Sequence, residues 1–142
     1  MVSQDKELFK IENLEEYKKW ISGQDWYQTI HLNQGLVTPG KLNTDARIEW
    51  FKKFNFKGKT VLDIGCNSGQ YCFYAKKAGA KTVTGLDFDE KRIYQAKMLA
   101  LNEGLDVDFH TCGIEKVPSF GKFDIIICIA VITEIENLFG AL

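Results

Sequence analysis

A chain of 142 residues, 45% apolar and 26% charged, can build one domain with a real core and is too hydrophobic for a disordered polymer. Its formal net charge of −1 excludes a global basic field for gripping nucleic acid, though not a local patch. The longest apolar run, residues 125–132, falls short of the ~18 residues of a membrane span, and the charged N-terminus MVSQDKELFKIENLEEYKKW does not read as a signal peptide.

The four cysteines, Cys66, Cys72, Cys112 and Cys128, form no C-x-x-C pair and lie in or beside apolar segments. They read as reduced core thiols of a cytoplasmic protein. His31 and His110 stand at no useful spacing from them, so no metal site is expected.

In chain order, Asn13 followed by Glu16 resembles a capping box, and Leu14, Tyr17, Trp20 and Ile21 recur at helical spacing. This predicts a helix over 13–22, stopped by Gly23. The stretch QDWYQTIHLNQGLVTPG holds neither period and is expected as an extended, aromatic-rich connection with room for a short strand, closing at the Pro39-Gly40 turn. A helix then starts near Thr44 or Asp45, with Ile48, Phe51 and either Trp50 or Phe54 facing inward. Lys52, Lys53, Lys57 and Lys59, in and before the polar link to the next element, read as a solvated face rather than a phosphate track.

Val61, Leu62 and Ile64 predict a buried strand that Asp63 interrupts, and a carboxylate there is costly to bury without a partner. Gly65 and Gly69 bracket a tight turn, and QYCFYAKKAGA has helical spacing up to Gly79. Strand, glycine turn and helix together let a ligand approach backbone amides. The pattern is not G-x-G-x-x-G, because Asn67 stands where a second glycine is expected, nor a P-loop, because no Gly-Lys-Ser/Thr follows. Asn67 tolerates positive φ better than most residues. A second strand is predicted over 81–87, then a helix over 90–103 with Ile93, Ala96, Lys97, Ala100 and Leu101 on its period, ended by Gly104. A third strand follows over 107–112, a loop GIEKVPSFGK, a doubly buried fourth strand IIICIAVI, and the start of a helix over 133–142.

Such alternation predicts an α/β, doubly wound parallel sheet with right-handed crossovers. Its ligand belongs outside the carboxyl ends of the strands, where the strand order reverses. That rim gathers residues 65–69, Asp87, residues 112–114 and residues 130–133. At the tip of the second strand, Asp87 can accept both hydroxyls of an adenosine ribose, or cap the helix at 90, for which Asp89 competes.

The set D-I-G-C-N-S-G, the acid in GLDFD and the strand FDIIICIAVI resembles the class I S-adenosylmethionine-dependent methyltransferases over about residues 44–142. More narrowly, WYQTIHLNQGLVTPG with GIEKVP is similar to the group around tRNA wobble-uridine methyl and carboxymethyl transferases. The resemblance implies a Rossmann-like core over 44–142 behind an N-terminal helical and extended cap over 1–43. It also implies S-adenosylmethionine, or a carboxylated derivative, as cofactor, and a small molecule or tRNA in the cytoplasm as acceptor. Asp63 and Gly65 would hold the methionine end, with Cys66, Asn67 and Gly69 in the same turn. Asp87, with Phe88 beside it, would hold the ribose, and residues 112–114, including Gly113 and Ile114, the adenine. Ala130 would lie near the sulfonium. Ile132-Thr133-Glu134 replaces the Tyr-His pair that the narrower group often has.

Displacement at a sulfonium needs alignment and exclusion of water rather than a covalent nucleophile. An acceptor that must lose a proton needs only a base, and His31 and Glu134 are the candidates. Equally, His31 reads as a hydrogen-bonded surface histidine and Glu134 as a helix N-terminal charge. Trp26, Tyr27 and Tyr71 are candidates for either a pocket wall or the core. The family sheet has about seven strands, of which four are legible here. Self-association through the fourth-strand edge or the final helix is therefore expected, and a truncated product fits as well. A binding module that keeps S-adenosylmethionine or S-adenosylhomocysteine without catalysis is the alternative function.

Overall fold

A computed structural model gives the protein's architecture and describes residues 6–129. Four parallel strands, β1 (Thr60–Ile64), β2 (Thr82–Asp87), β3 (Asp108–Thr111) and β4 (Ile125–Cys128), form one sheet in the order β3-β2-β1-β4. Val61 is paired with Val83 on one side and Ile125 on the other. The chain winds outward from β1 to β3 and then crosses back to β4, so the switch point opens at the carboxyl ends of β1 and β4. Helices α3 (Gln70–Lys77) and α4 (Glu90–Glu103) make the first two of the three crossovers, preceded by α1 (Leu14–Ser22) and α2 (Asp45–Phe51).

Helix α1 begins where Asn13 Oδ1 accepts the Glu16 amide at 2.9 Å, with Glu15 and Glu16 placed well for the helix dipole. Its buried Tyr17 donates a hydroxyl hydrogen bond to Glu103 at 3.0 Å, and Glu103 also accepts the Asn33 amide at 2.7 Å. Burial, with Glu103 beside it, pushes the Tyr17 phenol far above its usual range. Residues 24–42 carry one short 3-10 turn, Asn33–Gly35, and two isolated bridges, Gln28–Leu42 and His31–Val37, in line with the lack of period there. The Trp26 indole donates to Ile21 O at 2.7 Å, and buried Trp26 and Ile30 join Val61, Val83, Ile93, Leu99 and Phe109 in one apolar cluster.

Four expectations change. Phe51 turns inward onto Phe56 and Tyr71, whereas Trp50 and Phe54 are 51% and 48% exposed. A helix of seven residues has room for one inward row, and Ile48 and Phe51 fill it. On α4 the buried arc takes in Gln95, Met98, Leu99 and Glu103 with Ile93, Ala96 and Ala100, leaving Lys97 and Leu101 outside. The N-terminal segment covers that side: the Ile11 amide donates to Asn102 Oδ1 at 2.8 Å. The stretch GIEKVPSFGK contains a 3-10 helix, Ile114–Phe120. Finally, β4 is not doubly buried: Ile127 is buried, but Ile126 is 57% exposed and Cys128 is exposed. Among the described residues β4 is an edge strand and no helix covers the Ile126 side. The rest of the expected strand and the helix over 133–142 lie outside the described residues.

All four thiols are free, with Cys66 and Cys72 buried, Cys112 half-buried and Cys128 exposed, so only the first two are core thiols. Among the described residues no helix is long and apolar enough to cross a membrane, and no cluster of His, Cys, Asp or Glu side chains could hold a metal.

Gly85 marks how closely α3 and β3 approach β2. A Cβ there would stand 2.7 Å from the Phe109 ring and 2.9 Å from Cys72 Sγ. Overpacking of this kind costs about 1–3 kcal/mol, so Gly85→Ala should lower the urea midpoint accordingly. An unchanged midpoint would contradict the packing described.

Candidate functional site

The turn between β1 and α3 needs left-handed backbone at three positions: Gly65 (φ 73°), Asn67 (φ 53°) and Gly69 (φ 97°). Glycine takes this region without strain and asparagine more readily than most. At Gly69 side-chain packing adds a second constraint, since a Cβ would lie 2.8 Å from Phe109 Cζ and 3.0 Å from Phe73 Cζ. The amides of Gly65 and Cys66 both donate to Leu86 O, at 2.7 and 2.9 Å. One residue on, Asp87 Oδ2 accepts the Asn67 amide at 2.8 Å and Oδ1 the Asp89 amide at 2.9 Å. The Cys112 amide donates to Asp87 O at 2.9 Å, which draws the end of β3 to the same rim. Asp89, not Asp87, caps α4 by accepting from Lys91 and Arg92.

A cavity of about 540 Å³ opens at this rim. Of the residues singled out for the cofactor, Gly65, Asn67, Asp87, Phe88, Gly113 and Ile114 line it. Asp63, Cys66 and Gly69 do not. They stand behind the turn, buried. Asp63, 1% exposed, accepts a hydrogen bond from Cys72 Sγ at 3.6 Å. Burial pushes its carboxyl up to about 8; the Cys72 contact opposes the rise and the Asp87 charge adds to it. Burial likewise raises the Cys72 thiol well above its usual range. Ala130 and Glu134 lie outside the described residues.

Tyr27 and Tyr71 are wall residues, whereas Trp26 is core, 2% exposed. His31 is not on the wall: its Nε2 stands 3.0 Å from Asp45 Oδ1 on the surface. Sequence reasoning missed Gln28, Arg47 and Arg92. Gln28 Oε1 accepts the Gln70 amide at the start of α3 at 3.3 Å, and Arg47 Nη1 donates to the Tyr71 hydroxyl at 3.1 Å. One signal was available: these two arginines are the only ones in the chain, and both reach the cavity.

A family model described as a methyltransferase domain matches residues 55–142. The chain belongs to that methyltransferase-domain family. A tRNA U34 carboxymethyltransferase of Campylobacter hominis is 37% identical over 101 residues, covering 64% of this chain and 35% of that protein. The chain spans about a third of the length of the first such curated relatives. Among solved structures, the bifunctional kinase-methyltransferase WbdD matches 87% of this chain and 30% of its own, with a TM-score of 0.69 and 25% identity. The magnesium protoporphyrin IX methyltransferase of Synechocystis PCC 6803, solved with bound S-adenosylmethionine, matches 63% of this chain and 43% of its own at a TM-score of 0.50 and 29% identity.

The raised Asp63 carboxyl sets a pH dependence for the domain's stability. Between the ordinary carboxylate value and about 8, the folded state binds more protons than the unfolded one, so this group makes stability fall as pH rises through that window. Asp63→Asn keeps the acceptor for Cys72 and removes the titration. The variant should therefore melt higher than wild type at pH 8, with the gap narrowing toward pH 5. A gap independent of pH would contradict the assignment.

Proposed function

We propose that this domain binds S-adenosylmethionine, or a carboxylated derivative, in the 540 Å³ cavity and presents its transferable group to an acceptor. Asp87 carries the reading: its carboxylate stands on the cavity wall at the tip of β2, braced by the amide of the glycine turn. The donor set suits a nucleoside with an amino-acid tail. Asp87 accepts the ribose hydroxyls, Phe88 covers the sugar, and Gly113 and Ile114 border the adenine. Gly65 and Asn67 border the methionine end. Asp63 touches no cofactor and positions the turn from behind. Bound S-adenosylmethionine supplies an activated methyl group, so the chain needs chiefly to align the two partners and keep water out.

Tyr27, Arg47 and Tyr71 also line the cavity, with Arg47 donating to the Tyr71 hydroxyl, and are left to face the acceptor. A small molecule or tRNA fills that role: the Campylobacter relative is named for tRNA U34 and the Synechocystis one for magnesium protoporphyrin IX. The free thiols support a reducing, cytoplasmic setting. The β4 edge, unpaired on its outer side among the described residues, supports self-association.

One observation favours a second reading, a binding module without catalysis. The carboxylates on the described wall, Asp87 and Asp89, both accept backbone amides, and no histidine lines it. His31 is therefore given no role as a base.

Calorimetric titration with S-adenosylmethionine, with the mass in solution recorded alongside, tests the proposal. Wild type should bind, and Asp87→Ala should lose on the order of 2–3 kcal/mol, the range of hydrogen bonds to a charged group. Asp87→Asn, which keeps one acceptor oxygen, should fall between. A folded wild type that does not bind, or an Asp87→Ala protein with unchanged affinity, would end the proposal.

A further inference from the structure

The rim of the sheet opposite the cavity is crowded with lysines. Lys52, Lys53, Lys57, Lys59, Lys76, Lys77 and Lys81 fall between positions 52 and 81, where the only acid, Asp63, is buried beneath the turn. The fold adds an exposed carboxylate, Asp124, which accepts the Thr60 amide at 2.9 Å beside Lys59 and Lys81 and leaves the lysines in excess. The whole-chain charge of −1 conceals this excess. The fold draws them together at the amino ends of the strands. The Gly58 amide donates to Gly79 O at 2.9 Å, the Lys81 amide to Lys59 O at 2.8 Å, and Lys76 Nζ to Lys81 O at 3.2 Å. Lys52 is paired with Glu49; six of the seven are exposed, Lys76 being half-buried.

Beside them stand Trp50 and Phe54, 51% and 48% exposed, with ring centroids 4.7 Å apart. Two uncovered aromatic rings at the edge of a lysine field match the requirements of single-stranded nucleic acid, which offers phosphates to cations and unstacked bases to rings. Helix α2 also joins this surface to the cavity, since Arg47 on its wall lies three residues before Trp50. A bound polymer can thus run from one rim to the other over a helix of ~10 Å. An anionic membrane would instead hold the cavity facing away from it, and an acidic peptide has no need of the rings.

Lys52, Lys53, Lys57 and Lys59 read by themselves as a solvated face, but joined by the fold to Lys76, Lys77 and Lys81 beside two exposed rings they support another role. We propose that this rim is an RNA-docking surface, with the lysines tracking the phosphates of a single-stranded stretch and Trp50 and Phe54 stacking its bases. The choice of RNA over DNA rests on the acceptor reading above. Binding itself does not depend on the cofactor.

The test is fluorescence anisotropy of a labelled single-stranded RNA of about 16 nucleotides, titrated with the full chain without cofactor at several salt concentrations. Wild type should bind with an affinity that falls as salt rises. Lys53→Glu with Lys57→Glu should flatten the slope of log K against log salt by about 1.4, two phosphate contacts at ~0.7 each. Trp50→Ala with Phe54→Ala should weaken binding about tenfold or more with the slope unchanged. Both pairs are exposed and should keep the wild-type circular dichroism spectrum and cofactor affinity, so a failure here is read apart from a failure at the cavity. No saturable binding at low salt, wild-type affinity in both pairs, or tighter binding to the same sequence as DNA, to polyglutamate or to phosphatidylserine vesicles would overturn it.

Discussion

The carboxylate of Asp87 ties the glycine turn to the tip of β2, and the cavity takes its shape from that bridge. Three left-handed residues in five make a turn that is costly to hold without fixed partners. The partners are Leu86 O, which accepts two amides, and Asp87, which accepts the amides of Asn67 and Asp89. Hydrogen bonds to an ionised acceptor are the stronger kind. The neighbouring Asp63 could have opposed the arrangement as a second negative charge. Burial instead raises its carboxyl to about 8, so near neutrality it stays mostly protonated and adds little negative charge behind the turn. Of these two aspartates on neighbouring strands, only Asp87 lines the cavity.

The N-terminal segment is fixed to this site by a buried polar relay. Ser68 Oγ donates to Gln95 Oε1 at 2.8 Å, and Gln95 Nε2 donates to Asp25 O at 2.8 Å, so one side chain of α4 holds both the turn and the approach to Tyr27. Gln28 completes the link by accepting the first amide of α3. Satisfied networks of this sort orient their members because an unmade bond in a dry interior is expensive. The Tyr27 side of the cavity and the glycine turn are therefore held by the same α4 residue.

Much of this was legible in the sequence. The alternation of β-branched runs with 3.6-period segments gives the parallel strands and both crossover helices, and Gly65, Asn67 and Gly69 announce the turn because few other residues tolerate its backbone. Asp87 stood out by its place at a strand tip. The sequence did not disclose that Asp63 and Cys66 turn away from the cavity. Both precede or enter the turn, and which side they face depends on its three-dimensional course. The spacing after Thr44 points either Trp50 or Phe54 inward, yet Phe51 and Ile48 leave no room for a second row. Gln28 and Arg47 escaped notice because their roles depend on contacts with Gln70 and Tyr71, more than twenty residues along the chain. The buried polar arc of α4 was hidden for the same reason: Gln95 and Glu103 are polar by type and core by partnership.

The most direct measurement of the central claim is a nitrogen-15 heteronuclear NMR titration of the folded chain with S-adenosylmethionine, following individual backbone amides. If the Asp87-braced turn forms the cofactor site, the amides of Asn67, Asp87, Phe88, Gly113 and Ile114 should shift together along one saturable isotherm, while those of Lys57, Lys59 and Lys81 on the opposite rim stay still. Shifts centred on the opposite rim, or none at Asn67 and Asp87 in a protein that binds, would contradict the account.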